Sequence, residues 1–296
     1  MKEKLSLIDE AHELGVRHIS LTGGEVLVLE ELELILRKIR ECDMSVSMVT
    51  NGILLDRKRA KLLDHYEVYP IVSLDGAKRE THELIRGVGT WERVLNALKI
   101  LKTEGIGFST IMAINKLNYK EAGKYVELAS SEGAITANLI PTMPSGRADE
   151  RIVPRANEIV SVIKSVSEIA ASLKYHVNLW CTPFSPLVSR SPYVRGWGCR
   201  TLSVVDIDPS GRILLCDVLD FVLGDIRKGG LLRALEEYQS SPLLNAVVNP
   251  ELKSPCITCP LRNLCRGGCF ARAYLILKDL KAPDPLCPRV ATQTPS

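Results

Sequence analysis

The sequence lacks several features that would place it in a specialised class of protein. No apolar run within its 296 residues is long enough to cross a bilayer, which excludes a membrane-spanning protein. Its formal net charge of only +3 argues neither for nor against a nucleic-acid partner, but it has no basic tract, and no such partner is expected. Its five histidines are scattered and never form a two-histidine metal spacing. What remains, with 46% hydrophobic and 25% charged residues, is an ordinary globular composition.

The N-terminal segment also lacks the uninterrupted apolar stretch of a signal peptide. It places Leu5, Ile8 and Ala11 at helical spacing among acidic residues, which predicts an amphipathic helix. We therefore expect a cytoplasmic protein. In that reducing compartment, clustered cysteines hold metal more often than they form disulfides.

Five apolar runs alternate with longer stretches of helical period between the N-terminus and about residue 145. This alternation predicts βα units and a parallel sheet. A right-handed series of such units closes partly or wholly into a barrel. The runs cover residues 18–22, 46–50, 69–74, 108–114 and 137–140.

Three of these predicted strands end in turn-forming or polar residues. Each of the three motifs is also satisfied by an ordinary tight turn. Together, however, they lie at the carboxyl ends of strands, which form the ligand face in α/β folds. Glycine there lets a backbone approach a ligand closely, and the polar side chains supply donors and acceptors for an amine, a carboxylate or a ribose. The residues concerned are Gly23, Gly24, Glu25, Thr50, Asn51, Gly52, Ser73, Asp75 and Gly76.

Arg86 stands just before Gly87 in the same half of the chain. A solvated charge at a helix end and an anion clamp are both consistent with this position. Residue type alone favours the solvated charge.

The pattern changes after residue 147. A long helix is predicted at 154–173, a short strand at 177–181, and a proline- and serine-rich connection at 183–192. We place one domain at 1–175, a linker at 176–198 and a cysteine-rich domain at 199–296. Two apolar runs around residues 209–211 predict a hairpin that brings Cys199 and Cys216 to neighbouring strands, and a helix is predicted at 226–238.

Seven of the nine cysteines lie in this last domain. Seven thiolates exceed one tetrahedral site and nearly fill two. Spacing alone leaves zinc, iron–sulfur clusters and a disulfide framework open. The seven are Cys199, Cys216, Cys256, Cys259, Cys265, Cys269 and Cys287.

Their order resembles the seven-cysteine SPASM domain of radical S-adenosylmethionine enzymes. The matching pattern is Cys199-x11-Gly211-x4-Cys216, Cys256-x2-Cys259-x5-Cys265-x3-Cys269 and Cys287. The run Gly23-Gly24-Glu25 is similar to the GGE motif with which that family contacts the methionyl amine of S-adenosylmethionine. The resemblance spans nearly the whole chain. It implies an α/β fold, with a partial (β/α)6 TIM-like barrel lacking its first strand and then a small SPASM domain.

The resemblance also implies two auxiliary [4Fe–4S] clusters and a bound S-adenosylmethionine. One cluster would be held by Cys199, Cys216 and Cys269, with either Cys181 or an open iron completing it. The other would be held by Cys256, Cys259, Cys265 and Cys287. The cofactor would be held by Gly23, Gly24, Glu25, Thr50, Asn51, Ser73, Asp75 and Arg86.

Asp217 directly follows Cys216. It matches the position of the proposed general base in peptide-oxidising relatives, where it would take a proton from the substrate radical. The alternative is a plain aspartate at the end of a hairpin.

The chain departs from the family in one main respect. Its 296 residues contain no Cys-x3-Cys-x2-Cys, the motif whose cluster reduces S-adenosylmethionine, and Val26 stands where the family usually has proline. As written, the polypeptide is not expected to cleave S-adenosylmethionine reductively. A truncated reading frame and a degenerate protein that kept its auxiliary clusters are the two explanations, and the retained strand-end motifs favour truncation.

The leading hypothesis is a radical S-adenosylmethionine oxidoreductase or maturase. Its substrate would be a peptide, a protein or a tetrapyrrole-type molecule, and its partners would include an external electron donor or acceptor. Two alternatives stay open. One is a non-catalytic iron–sulfur electron-transfer or peptide-binding protein, and the other is a zinc-stabilised binding module.

Overall fold

The computed structural model describes residues 2–200 and 203–292. Helices and strands alternate through the first half of the chain, as the sequence pattern predicts. The helices are α1 (Lys2–Glu13), α2 (Leu32–Glu41), α3 (Arg57–His65), α4 (Arg79–Arg86), α5 (Thr90–Thr103), α6 (Ala122–Ser131), α7 (Ala156–Leu173), α8 (Gly230–Ser240), α9 (Pro242–Val248), α10 (Arg262–Cys265), α11 (Phe270–Leu277) and α12 (Pro288–Ala291).

The strands fall into two sheets. The larger has seven strands in the order β1 to β7, and the smaller has three in the order β10-β9-β8. Their bounds are β1 (His18–Leu21), β2 (Ser45–Thr50), β3 (Val68–Ser73), β4 (Ser109–Ile114), β5 (Ala137–Pro141), β6 (Val177–Leu179), β7 (Val194–Gly196), β8 (Asp206–Ile207), β9 (Arg212–Leu214) and β10 (Val222–Asp225).

The larger sheet confirms the predicted α/β class. Strand β2 pairs in parallel with both β1 and β3, and β3 pairs in parallel with β4. Strands β2 and β3 are buried almost throughout, as expected for a parallel sheet covered on both faces. Strand β7 was not predicted, because it has only three residues and follows a proline- and serine-rich stretch.

Amphipathic helices cover this sheet. In α2, the buried residues Leu32, Ile35, Leu36 and Ile39 follow the spacing of a single helical face. Helix α5 buries Val94, Ala97, Leu98 and Leu101 in the same way. The resulting close-packed core holds the strand ends in fixed positions.

The smaller sheet corrects one prediction about the cysteines. Strands β8 and β9 do form an antiparallel pair, around a turn in which the Asp208 carboxylate accepts hydrogen bonds from the backbone N–H groups of Ser210 and Arg212. Yet Cys199 precedes β8 and Cys216 follows β9, so neither lies on a strand. The prediction of neighbouring strands was wrong because the strands are only two and three residues long.

The chain divides into two compact units. The first comprises residues 1–113, 121–139 and 175–177, and the second comprises 114–120, 140–174 and 178–296. The sequence-based division at 176–198 stays a prediction, and its C-terminal limit at 296 lies outside the described residues. In the described part of the chain, no helix combines the length and apolar character needed to cross a membrane.

Candidate functional site

Glu25 follows the end of β1, and its carboxylate accepts hydrogen bonds from residues at the end of β2. Its Oε1 accepts a hydrogen bond from the Thr50 hydroxyl at 2.6 Å and from the Leu27 N–H at 3.2 Å. Its Oε2 accepts from the Asn51 N–H at 2.8 Å. An ionised carboxylate offers about four acceptor positions, so these three bonds leave room for one more donor.

The backbone just before Glu25 is open. Gly23 has φ +127, a conformation that residues with side chains rarely adopt. Apart from each glycine and its two chain neighbours, no atom of the described residues lies within 4 Å of the place that a Cβ would occupy at either Gly23 or Gly24. Space for a ligand therefore exists beside this backbone segment.

The loop after β3 carries Asp75, which is buried and fully engaged. Its Oδ2 accepts from the Arg86 Nε at 2.5 Å, and its Oδ1 accepts from the Ala113 N–H at 2.7 Å. The Arg86 side chain is 33% exposed, so part of its guanidinium faces solvent. Asp75 thus orients Arg86 and ties the end of β3 to β4, and direct contact of Asp75 with a cofactor stays a prediction.

Two further residues lie close to these in the chain. Ser73 ends β3 and is buried. His82 is buried in α4, accepts the Asp75 N–H at Nδ1 over 3.2 Å, and packs edge-on against Trp91. Burial lowers the pKa of His82, because the charged imidazolium loses its hydration. His82 is therefore a core histidine.

In the second unit, cysteines distant in sequence come together. The Cys181 thiol lies close enough to the Cys199 and Cys269 sulfurs to interact with both. Its interaction with Cys269 favours the thiolate and lowers the pKa of Cys269. Cys216 interacts electrostatically with Cys199 and Cys269, and burial raises its pKa. We call Cys181, Cys199, Cys216 and Cys269 the first cysteine set.

A completely buried ion pair, Arg272 with Asp284, lies against this set. Arg272 donates from Nη1 to both carboxylate oxygens, at 3.0 and 2.8 Å, and from Nη2 to the Cys181 carbonyl at 3.0 Å. The Asp284 carboxylate accepts the Cys269 N–H at 2.9 Å. Cys181 has φ +54, a left-handed conformation uncommon for a residue with a side chain. The ion pair therefore helps to hold Cys181 and Cys269 in place.

The second cysteine set, Cys256, Cys259, Cys265 and Cys287, lines a small, partly open pocket. Arg262 and Arg289 line the same pocket. Burial raises the pKa of Cys265 to about 12 and that of Cys287 to about 11. Within residues 2–200 and 203–292, no three histidine, cysteine or acidic side chains converge at the spacing of a single metal ion.

The predicted base Asp217 is exposed and close to a second carboxylate. Its Oδ1 accepts a hydrogen bond from the Cys216 thiol at 3.4 Å. Burial, reinforced by the nearby Asp217, raises the pKa of Asp206. Sequence reasoning passed over Asp206, because in an apolar run it resembles any outward-facing strand residue.

Sequence reasoning also missed two buried arginines. Arg200 is 6% exposed and Arg272 is fully buried. Arg272 is the one charged residue of α11, within the run Phe-Ala-Arg-Ala-Tyr-Leu-Ile-Leu. A lone charge on such an apolar helix was the available signal.

Residues 2–129 match the Radical SAM superfamily. The AdoMet-dependent heme synthase of Methanosarcina barkeri is 27% identical over 96% of this chain and 86% of its own length. The PqqA peptide cyclase of Methylocella silvestris is 26% identical over 96% of this chain and 77% of its own length.

A solved structure shares the fold. The structure of native anSMEcpe with bound AdoMet and Cp18Cys peptide aligns with a TM-score of 0.75 at 16% identity, and it covers 97% of this chain and 85% of its own. The family match covers the segment that contains Glu25, Thr50 and Asp75. We therefore identify residues 2–129 of the chain as a radical SAM domain.

Proposed function

We propose that the protein is a radical S-adenosylmethionine enzyme of the SPASM group, an oxidoreductase or maturase. The observation that carries the proposal is the Glu25 carboxylate, which Thr50 and Asn51 hold with one acceptor position to spare. The methionyl ammonium of S-adenosylmethionine is a donor of matching charge. The relatives named above, a peptide cyclase and a heme synthase, support a peptide, protein or tetrapyrrole-type substrate.

The residues of the first unit would bind and orient the cofactor. S-adenosylmethionine, when bound, supplies the radical chemistry of the family. Glu25 would accept the ammonium, the open backbone at Gly23 and Gly24 would lie against the ligand, and the exposed part of Arg86 would attract an anionic group. Thr50, Asn51, Ser73 and Asp75 would position these groups.

The cysteines of the second unit would hold two auxiliary [4Fe–4S] clusters, one on each cysteine set. A single zinc ion needs four sulfurs about 2.3 Å from one point. In the described residues, no three cysteine, histidine or acidic side chains converge on one point in that way, which supports a larger inorganic centre instead. The contacts of Cys181 with Cys199 and Cys269 favour Cys181 as the fourth ligand of the first cluster over an open iron.

Asp217 would take a proton from the substrate. Its exposed carboxylate is accessible to a second molecule, and it lies beside the first cysteine set, whose cluster would accept an electron. Oxidation of the substrate radical requires the loss of one proton and one electron. Asp217 would accept the proton, and the neighbouring cluster would accept the electron.

Binding of S-adenosylmethionine to the anaerobically reconstituted protein tests the proposal. We expect saturable binding in a calorimetric titration. Glu25→Gln should weaken it by 10-fold or more, since a hydrogen bond to a charged group contributes about 1.5–3 kcal/mol. Glu30→Gln, which neutralises an exposed glutamate of the same segment, is the matched control. Absence of saturable binding in the unaltered protein would overturn the proposal.

Turnover is tested on protein purified from its natural source, incubated with a reductant and S-adenosylmethionine. We expect 5′-deoxyadenosine. A full complement of clusters without any 5′-deoxyadenosine would instead support the second candidate, a non-catalytic iron–sulfur electron-transfer or peptide-binding protein. The observation that favours this candidate is the absence of Cys-x3-Cys-x2-Cys from the 296 residues.

Metal analysis tests the third candidate, a zinc-stabilised module, which the Cys-x2-Cys spacing of Cys256 and Cys259 also permits. Two four-iron clusters predict a brown protein with about eight irons and eight sulfides per chain. A colourless protein that holds zinc after anaerobic purification would support the zinc module instead.

A further inference from the structure

Arg200 directly follows Cys199, and its guanidinium is buried. Its Nε donates to the Gly268 carbonyl at 2.8 Å, and its Nη1 donates to the Val247 carbonyl at 2.6 Å. The Phe270 ring centre lies 5.5 Å from its Cζ. These contacts fix the position of the charge next to the glycine that precedes Cys269.

In the described part of the chain, Arg200 has no carboxylate partner at ion-pair distance. Its hydrogen-bond acceptors are neutral carbonyls, which contrasts with Arg272, whose charge is neutralised by Asp284 at 2.8 Å. Asp284 interacts with Arg200 only over a longer distance and is already engaged. Burying a cation without an anion is costly, so the position of Arg200 calls for negative charge close by.

Thiolates of both cysteine sets are the candidates for that negative charge. Arg200 interacts electrostatically with Cys199 and Cys269 of the first set and with Cys265 of the second. It also interacts with Cys256 of the second set. One buried cation is therefore within electrostatic range of both sets.

We propose that Arg200 acts on both auxiliary clusters. Its fixed positive charge raises the reduction potential of each. This inference rests on the proposed presence of those clusters. Reduction adds an electron, and a neighbouring cation stabilises the more negative, reduced form of a cluster more than the oxidised form. Since the cation is buried, solvent screens this effect little.

The test is a redox titration of the reconstituted holoprotein, followed by electron paramagnetic resonance. We expect Arg200→Gln to lower both midpoint potentials. Arg200→Lys, which keeps the cation, should stay close to the unaltered protein. The matched control is Arg262→Gln, which removes an exposed charge beside the pocket of the second set and should shift that cluster less and the first hardly at all.

Unchanged potentials in Arg200→Gln would overturn the proposal. Equal shifts in Arg200→Gln and Arg200→Lys would also overturn it, because they would indicate hydrogen-bond geometry rather than charge. If Arg200→Gln loses iron or fails to fold, Arg200→Lys decides. If Arg200→Lys retains its iron and has normal potentials, the result supports a need for a cation at this position. If Arg200→Lys also loses iron or fails to fold, the proposal is rejected.

Failure of this inference is distinguishable from failure of the proposed function. An unaltered protein that holds zinc and no iron refutes the clusters themselves. A brown protein with about eight irons per chain, whose potentials ignore the Arg200 charge, refutes only the role of Arg200.

Discussion

Two regions of the molecule hold their functional groups in different ways. One is the site around Glu25, Thr50 and Asn51, which we call the strand-end site, and the other is the second unit with its two cysteine sets, which we call the cysteine-rich unit. At the strand ends, the partly exposed Glu25 is held by donors from the next strand and its own turn. In the cysteine-rich unit, buried charges hold the thiols, and Arg272 reaches back 91 residues to Cys181. Water can replace a lost partner in the first region but not in the second, so damage should be local in one and global in the other.

The largest effect should come from Asp284→Asn. It leaves Arg272 buried without a counter-charge, and breaking a buried pair in this way costs about 3–5 kcal/mol. The free energy of unfolding, measured by chemical denaturation, should fall by that amount. Asp225→Asn, which breaks an ion pair with the exposed Arg227, is the control and should change little. Equal effects of the two substitutions would mean that the burial of the Arg272–Asp284 pair contributes no extra stability.

The next largest effect should come from Cys181→Ala. If Cys181 is the fourth ligand, the variant should either lose the iron of the first cluster or gain a site that binds added cyanide. Iron analysis and electron paramagnetic resonance detect both results. Cys42→Ala is the control, because Cys42 is buried beside Asp9 and belongs to neither cysteine set. A spectrum identical to that of the unaltered protein would rule out Cys181 as a ligand.

A smaller effect is expected from Thr50→Val at the strand ends. It removes one hydrogen bond to Glu25 and the bond that the Thr50 hydroxyl accepts from the Gly52 N–H, and it leaves the bonds from Asn51 and Leu27 to Glu25 in place. Affinity for S-adenosylmethionine should fall about 5- to 10-fold, which corresponds to about 1–1.4 kcal/mol. The free energy of unfolding should fall by less than in Asp284→Asn, because the lost acceptor served a neutral N–H group. Thr103→Val, at the exposed end of α5, should leave affinity unchanged. A loss of 100-fold or more would mean that Thr50 contacts the ligand itself.

The smallest effect concerns pH and His82. Because burial lowers its folded-state pKa below the usual value of 6.5, His82 contributes stability that is present above pH 6.5 and is lost as pH falls through the folded-state pKa. Melting temperature should therefore decline as pH falls from 7.5 to about 5. His82→Gln should flatten that decline, whereas His65→Gln, at an exposed histidine, should not. A decline of the same slope in all three proteins would contradict the assignment to His82.

The strand-end site was more predictable from sequence than the cysteine-rich unit. Parallel pairing places the ends of β1 and β2 at one edge, so the motifs at Glu25 and Thr50 could be expected to meet. Sequence order could also suggest which thiols belong together. It gave only a weak indication for Cys181, because the separation between Cys181 and Cys199 fits no short metal-binding spacing.

Apart from Arg272, whose apolar helix offered a signal, the buried charges could not be predicted, since sequence alone does not say which of 38 lysines and arginines are buried. Arg200 resembles any loop cation next to a cysteine, and its partners at Val247 and Gly268 are distant in sequence. Asp284 stands among prolines, a context that suggests an exposed turn. Only the tertiary fold reveals that these groups are shielded from water.

Gly268 shows how this shielding constrains the variation that the chain can accept. It has φ +80, and a Cβ added there would overlap the side chain of Asp284. A residue larger than glycine at 268 would therefore force Asp284 away from Arg272, although Gly268 is no ligand and carries no charge. We expect positions 268, 272 and 284 to vary together among homologous sequences. A relative with a residue larger than glycine at position 268 should then lack both charges of the ion pair, at positions 272 and 284.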